Sequence, residues 1–249
     1  MQWVQGEVVN VHKWSAGLYS LYISAPILPF IAGQFTQLCL NPDHEKLFHP
    51  YSFANAPDEP VLEFYYTLVN QGEFTNQLMR LSSKSPIWVA HKASGRFCLN
   101  HVQDAPVLWL MASGTGLGVF LSILKTLEVW QRFKKIVLVH SVRFATELTH
   151  QKLIAQWQAL YADQFFYCPI VTRERMSQAY TERLTKLIES RCLEQDLNLS
   201  LAQDSQIMLC GNPQMIKEVN VLLQARGLAF NSPHKPGHIT FENYWKLHP

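Results

Sequence analysis

The sequence predicts two domains, an N-terminal antiparallel β-barrel over residues 1–103 and a C-terminal doubly wound α/β domain with a parallel sheet over 104–249. Three observations predict this. At 249 residues the chain exceeds a typical single core. Its first hundred residues form short alternating apolar runs broken by Pro and Gly turns, the pattern of a small barrel. From Ala105 onward apolar runs alternate with helical segments, which makes a parallel sheet with helices on both faces. The boundary is expected near Gln103, just before Asp104-Ala105-Pro106.

The elements follow in order. Val4, Val8, Val9 and Val11 pair with Leu18, Leu21, Tyr22 and Ile23 around a turn at Ser15-Ala16-Gly17. Phe35–Leu40 alternates cleanly, and Tyr51–Asn55, Leu62–Leu68 and Ile87–Ala90 supply further strands. One helix fits, Thr75–Leu81, with Thr75 as its N-cap. In the second half, strands are expected at Val107–Ala112, Ile136–Ser141, Phe165–Val171 and Gln206–Cys210. Helical segments are expected at Leu117–Trp130, Thr146–Tyr161, Tyr180–Ser190 and Pro213–Arg226.

Composition excludes several classes. A net charge of +2 is too small to argue for nucleic acid. No apolar run approaches the roughly 20 residues of a membrane span. The N-terminus enters a strand pattern without the regions of a signal peptide. The five cysteines are an odd number without a Cys-x-x-Cys, which argues against a zinc ribbon or iron–sulfur cluster and agrees with the cytoplasm. No metal site and a monomeric protein are expected.

Three motifs carry chemistry. His49-Pro50-Tyr51-Ser52 joins an aromatic ring to a hydroxyl at a strand. Leu209-Cys210-Gly211-Asn212-Pro213 puts a thiol beside a Gly turn that opens a helix. Between them, Ser113-Gly114-Thr115-Gly116-Leu117-Gly118 follows a buried strand and precedes a helix, where glycines admit a ligand to the backbone and the helix N-terminus offers free N–H groups to phosphate. Its spacing is Gly-x-Gly-x-Gly, not the dinucleotide fingerprint, so a plain tight turn is the competing reading. In that order the three suggest one site that brings a flavin and a nicotinamide together. Arg143 stands at the strand end where an NAD site would carry an acidic residue for the ribose; Arg173 follows the third strand and Arg183 opens the next helix, and three cations at the ligand edge suit a ribose 2′-phosphate.

With these residues in place, the chain resembles the bacterial ferredoxin/flavodoxin–NADP reductases. The resemblance runs nearly the whole length, through Ala32-Gly33-Gln34-Phe35-Thr36, Tyr51-Ser52, Leu62-Glu63-Phe64-Tyr65, Gly114-Thr115-Gly116, Leu121–Leu124, Val137–Arg143, Leu209–Met215 and Gly237–Thr240 to Tyr244-Trp245. It implies FAD in the barrel and NADP(H) in the second domain. By similarity Tyr51 stacks on the isoalloxazine and Ser52 bonds near its reactive nitrogen. Tyr66, Thr67 and Leu68 would line the flavin with backbone groups, and Gly72, Phe74 and Thr75 would meet the pyrophosphate. Gly114 and Gly116 would serve NADP, with Thr115 near the flavin–nicotinamide junction. Asn212 would also serve NADP. Cys210 would orient the nicotinamide. Tyr244 would cover the other flavin face and yield it to the nicotinamide, and Trp245 would pack on the adenine. Glu242 is the candidate for proton traffic. For each aromatic, core packing is the competing reading.

Two departures from the family pattern stand out. His49 replaces the usual Arg, and an ordinary imidazole is charged mainly below about pH 6.5. FAD binding is therefore expected to be looser than usual and to weaken as pH rises. Lys246-Leu247-His248-Pro249 extends past the usual terminal Trp. The resemblance implies electron exchange with ferredoxin or flavodoxin, both acidic carriers. Lys13, Lys46, Arg80, Lys84 and Lys92 are candidates for a basic rim, ordinary surface charges being the competing reading. An NADPH-dependent flavin reductase, an oxygenase reductase component and a non-enzymatic nucleotide-binding module remain alternatives.

Overall fold

A computed structural model describes residues 1–43 and 48–243. The chain separates into two compact units, residues 1–99 with 118–126, and residues 100–117 with 127 onward.

The first unit is built on six strands, β1 (Trp3–Ser15), β2 (Leu18–Ser24), β3 (Phe35–Cys39), β4 (Phe48–Ser52), β5 (Leu62–Thr67) and β6 (Pro86–Ala90). They form one antiparallel sheet in the order β4-β3-β6-β1-β2-β5. Just past edge strand β4, the Ala54 N–H donates to Glu63 O in the other edge strand, β5, at 2.8 Å, which closes the sheet into a barrel. The β1–β2 hairpin turns at Gly17, whose φ of +87° suits glycine. Leu21, Ile23, Leu38, Phe64, Ile87 and Val89 fill the interior, all wholly buried.

Two local expectations shift. The strand placed at 51–55 lies at 48–52, and Phe53, Ala54 and Asn55 turn into the core instead. Helix α1 is Glu73–Arg80, capped by Gly72, so Thr75 is not the N-cap. Thr75 sits at the third helical position, where Oγ1 accepts from Val69 N at 3.1 Å and donates to Gly72 O at 3.4 Å. The hydroxyl thus pins the turn before the helix rather than its first N–H groups.

The second unit carries five parallel strands, β7 (Val107–Ser113), β8 (Lys135–Val142), β9 (Phe165–Val171), β10 (Ser205–Gly211) and β11 (Ile239–Asn243), in the order β11-β10-β7-β8-β9. All of β10 and nearly all of β7 are buried, as a sheet covered on both faces requires. The order reverses between β7 and β10, and ligands of doubly wound sheets bind at such a switch point.

The helices are shorter than expected. The segment 117–130 breaks into α2 (Leu117–Leu124) and α3 (Leu127–Arg132), the Thr126 hydroxyl donating to Ile123 O at 2.7 Å where α2 ends. Helix α4 is Gln151–Leu160, since His150 adopts φ +58° just before it. Tyr180 is not helical: its N–H and C=O pair with Pro169 and Val171 of β9. Helices α5 (Leu184–Glu189) and α6 (Cys192–Leu197) follow, divided at Arg191, φ +58°. Helix α7 is Pro213–Ala225.

Gly118–Thr126 belongs to the barrel unit through specific bonds. A Cβ on Gly118 would lie 3.3 Å from the Tyr65 side chain. Ser122 Oγ donates to Asn55 O at 2.6 Å. Lys125 Nζ lies 3.3 Å from both Glu59 and Glu63 carboxylates. Glu63 is buried, and its Oε1 also accepts from Ser20 at 2.8 Å and Tyr22 at 3.1 Å. Among the described residues no helix is long and apolar enough to cross a membrane, and no group of His, Cys, Asp and Glu could hold a metal ion.

Candidate functional site

In the barrel unit, β4, β5 and α1 gather four rings. His49 and Tyr51, two apart on β4, project to one face of the strand. The His49 ring centroid lies 4.7 Å from that of Phe74, and Tyr51 lies 6.0 Å from Phe74 at an interplanar angle of 25°. Tyr66 of β5 meets Tyr51 edge-on at 6.2 Å. Tyr51 and Ser52 are half-buried, His49 and Pro50 exposed, and Phe74 and Tyr66 buried. Burial pushes the Tyr51 and Tyr66 hydroxyls well above the usual phenol range, so both stay neutral. The Tyr66 hydroxyl is buried without a hydrogen-bond partner. Ser52 stands opposite Phe35 in register.

The loop edges beside these rings are held by backbone. Leu68 N–H and Thr67 Oγ1 both donate to Gly17 O, at 2.7 and 3.3 Å. Gly72 caps α1 without a side chain, and a Cβ there would come within 2.8 Å of Val69 Cβ. The first N–H groups of α1 therefore have no side-chain cap, the condition under which a helix N-terminus accepts an anion. Rings, an orphan hydroxyl and an uncapped helix end fit a flat cofactor with an anionic tail. Phe74 serves this arrangement as a buried wall.

In the second unit, the ends of β7 and β10 are pressed together. A Cβ on Gly116 would lie 2.4 Å from Cys210 O, and one on Gly211, at φ +125°, 2.4 Å from Ser113 O. Only glycine fits either place. Ser113 Oγ accepts the Asn212 N–H at 2.7 Å and locks the two strand ends. Asn212 Oδ1 accepts from Gln214 and Met215 N–H at 2.8 and 3.3 Å, so that oxygen is committed to capping α7. Gly114–Gly116 is a single 3-10 turn, with Gly114 at φ +53° and Thr115 buried. Cys210 is wholly buried and pairs in register with Glu242 of β11. Burial pushes the Glu242 carboxyl up to about 7. The cradle of close backbone at a switch point fits a pyrophosphate-bearing nucleotide.

Arg143 and Arg173 are exposed at the carboxyl ends of β8 and β9, and Arg173 N–H donates to Arg143 O at 2.9 Å. Two carboxylates take the local N–H groups: Glu147 Oε2 accepts from Arg143 and Phe144 at 2.7 and 3.2 Å, and Glu174 accepts from Ala145. The N–H groups of Arg143, Phe144, Ala145 and Arg173 are thus already bonded, and the exposed guanidinium groups are left as donors to an anion. Arg183 is exposed just before α5, and among the described residues no hydrogen bond links it to either arginine.

Tyr244, Trp245 and the Lys246–Pro249 extension lie outside the described residues, as does Lys46. Lys13, Arg80, Lys84 and Lys92 are exposed. The sequence reading missed Ser113, Glu147, Glu174 and the Lys125–Glu63 pair. Ser113, which opens the Gly-rich turn, and Glu147, which bonds residues three and four positions earlier, had local signals; Glu174 and the Lys125–Glu63 pair act across 29 and 62 residues.

Residues 110–220 match the model of the oxidoreductase NAD-binding domain family. The chain is 39% identical over 245 residues to the flavodoxin/ferredoxin–NADP reductase of Escherichia coli (strain K12), covering 98% of this chain and 99% of that protein. It is 40% identical to the protein of the same name from Shigella flexneri, with the same coverage. A crystal structure of a ferredoxin NADP+ reductase from Neisseria gonorrhoeae, with bound FAD and NADP, superposes with a TM-score of 0.92 at 28% identity, covering 98% of this chain and 100% of that one. With two compact units, a barrel bearing clustered rings, a switch-point cradle and relatives matched from end to end, the chain belongs to the flavodoxin/ferredoxin–NADP reductase family.

Proposed function

We propose that this chain is an FAD-dependent reductase that passes electrons between NADP(H) and a ferredoxin or flavodoxin. The observation that carries the reading is the Gly116–Cys210 and Gly211–Ser113 cradle at the β7/β10 switch point, in a chain whose barrel unit also gathers His49, Tyr51, Tyr66 and Phe74. The names of the relatives, and the FAD and NADP in the Neisseria structure, support the same cofactors here.

FAD, when bound, supplies the link between two-electron hydride transfer and one-electron exchange with a carrier protein. The chain's own residues bind and orient. Tyr51 offers a ring face worth about 0.5–1.5 kcal/mol beyond burial. Ser52 supplies a hydroxyl beside it, and His49 and Pro50 lead the strand in. The backbone of Tyr66, Thr67 and Leu68 edges the ring, and Gly72, Phe74 and Thr75 set the helix end that receives the pyrophosphate. By the resemblance, Tyr244 would cover the remaining flavin face and Trp245 the adenine; both lie outside the described residues.

In the second unit, Gly114, Thr115 and Gly116 present backbone N–H groups to the coenzyme phosphates. Arg143, Arg173 and Arg183 select the 2′-phosphate, and Asn212 holds the turn. Cys210, its thiol wholly buried at the end of β10, would help orient the nicotinamide rather than attack it. Glu242 holds a proton beside it, because burial keeps that carboxyl protonated up to about pH 7. A monomer in the cytoplasm completes the reading; the five cysteines form no disulfide, as a reducing compartment favours.

The test is stopped-flow reduction by NADPH against NADH, followed by a panel of acidic carrier proteins. Bleaching of flavin absorbance by NADPH and onward reduction of ferredoxin or flavodoxin are expected. A protein that takes up no FAD, or that reduces free flavin but no carrier, sinks the proposal.

A further inference from the structure

His140 occupies a place where an aliphatic side chain would be expected. It lies in β8 between Ala112 of β7 and Pro169 of β9 in register, and it is wholly buried. An imidazole there carries a desolvation cost that leucine or valine would not. Its Nε2 lies 3.1 Å from the carbonyl oxygen of Gly114. A carbonyl only accepts, so Nε2 bears the proton and donates. Nδ1 is left as a buried acceptor without a partner. The chain thus accepts one orphaned ring nitrogen to keep one donor aimed at Gly114.

Gly114 explains why a donor is needed. Its φ is +53°, and a Cβ added to it would meet nothing within 4 Å. This glycine is present for its dihedral angle, not for space, so its peptide has no steric wall to hold it. Two bonds hold it instead: the Leu117 N–H closes the 3-10 turn onto Gly114 O, and His140 takes a second position on the same oxygen. In a trans peptide the C=O of Gly114 and the N–H of Thr115 point in opposite directions. Fixing the carbonyl toward the sheet fixes the Thr115 N–H away from it.

We infer that His140 is a positioning residue for the coenzyme-phosphate turn, holding the Gly114–Thr115 peptide so that the Thr115 N–H is presented to the pyrophosphate of a pyridine dinucleotide. The inference rests on the function proposed above. The ring does this work as a neutral group: burial pulls it down to about 4, the bond to Gly114 opposes that, and His150 acts in the same direction as burial. His150 is itself buried, its Nδ1 2.9 Å from the Thr149 hydroxyl. The donor consequently points one way throughout the neutral range.

The test compares His140→Leu, His140→Gln and His140→Asn in the FAD-loaded full chain, with NADPH as the titrant. Dissociation constant, KM, kcat with ferricyanide, flavin content and Tm are read for each. Leu removes the donor while keeping the site filled: NADPH affinity and KM weaken about 5- to 30-fold, the scale of one or two neutral hydrogen bonds. At saturating NADPH kcat stays within about twofold, and flavin content does not change. Gln, whose amide reaches the same carbonyl, recovers most of the affinity; Asn, one methylene shorter, does not. Equal NADPH binding in wild type and Leu variant overturns the inference alone. So does equal loss in Gln and Asn, which also decides the matter if the Leu variant does not fold. A wild type that binds FAD but no pyridine dinucleotide overturns the functional reading and this inference together.

Discussion

Cys210 and Glu242 stand side by side in register on β10 and β11, at the carboxyl edge of the parallel sheet. The thiol is wholly buried, and Oε2 of the carboxyl is buried without a partner. Burial lifts the Glu242 carboxyl from 4.5 to about 7. A raised carboxyl binds its proton more tightly folded than unfolded. Glu242 therefore costs no stability below about pH 4.5, costs progressively more from there to pH 7, and its full penalty above. Glu242→Gln removes the charge. It is expected to match wild type near pH 4 and to exceed it at pH 8 by about 2 kcal/mol in urea unfolding. A stability difference that does not vary with pH would show that this carboxyl is not the buried, proton-holding group described.

The adjacent arginines yield a second prediction. Arg143 and Arg173 are tied backbone to backbone, and the nearby N–H groups are taken by Glu147 and Glu174. The exposed guanidinium groups are left as donors for a 2′-phosphate. The double variant Arg143→Ala with Arg173→Ala should lose about a hundredfold in NADPH over NADH preference, two charge-assisted contacts at about 1.5–3 kcal/mol each being more than enough. The ratio of kcat/KM values for the two coenzymes measures it. A double variant that still strongly prefers NADPH removes the arginines from the selectivity role.

The outer face of β5 makes a third. Lys125 reaches Glu63 at 3.3 Å, with their side chains 15% and 6% exposed, deep enough that removing one partner strands the other charge. Lys125→Met should cost about 3 kcal/mol and lower Tm by roughly 5–10 °C. Adding Glu63→Gln should restore most of that, since Ser20 and Tyr22 can still bond a neutral amide oxygen. A double variant no more stable than the single one would show that the pair does not act as a unit.

These residues also mark where sequence was readable and where it was not. The two sheets, the glycine turn at Gly114–Gly116 and the placement of Arg143 and Arg173 at strand ends were legible, because alternation, apolar runs and glycine spacing are local signals. The strand at 48–52 was read three residues late because Phe53, Ala54 and Asn55 are buried like strand residues yet have left the sheet. Thr75 read as a cap because a hydroxyl near a helix start is the usual signal; here Gly72 precedes it and the hydroxyl turns back to Val69. The attachment of Gly118–Thr126 to the barrel was invisible, since Ser122–Asn55 and Lys125–Glu63 join positions 67 and 62 residues apart.

His49 gives a fourth prediction. It is exposed on β4 with its ring centroid 4.7 Å from that of Phe74. A guanidinium keeps its charge at every working pH and offers five donors to a pyrophosphate. His49→Arg should tighten FAD about tenfold, from a fixed charge and additional donors at that place. FAD affinity followed by fluorescence tests this. Equal affinity in wild type and variant would mean that position 49 does not meet the anion.

Gly211 offers the most severe test of the switch-point cradle. Its φ is +125°, and an added Cβ would fall 2.4 Å from both Ser113 O and Ser113 Oγ. Alanine there meets backbone, which cannot rotate away as a side-chain end would. The ends of β7 and β10 must part, and the 2.7 Å bond from Asn212 N–H to Ser113 Oγ is broken with them. Gly211→Ala is therefore expected to lose about 2–4 kcal/mol of stability, strain and a lost bond together. It should also weaken NADPH binding by tenfold or more while leaving flavin content near wild type, because the barrel's rings are untouched. Ser113→Ala provides the graded comparison: it loses the bond without the clash, and about 1 kcal/mol. Should Gly211→Ala bind NADPH as wild type does, the cradle is not where the coenzyme lies. Should Ser113→Ala prove the more damaging of the two, the hydroxyl and not the close approach governs the site.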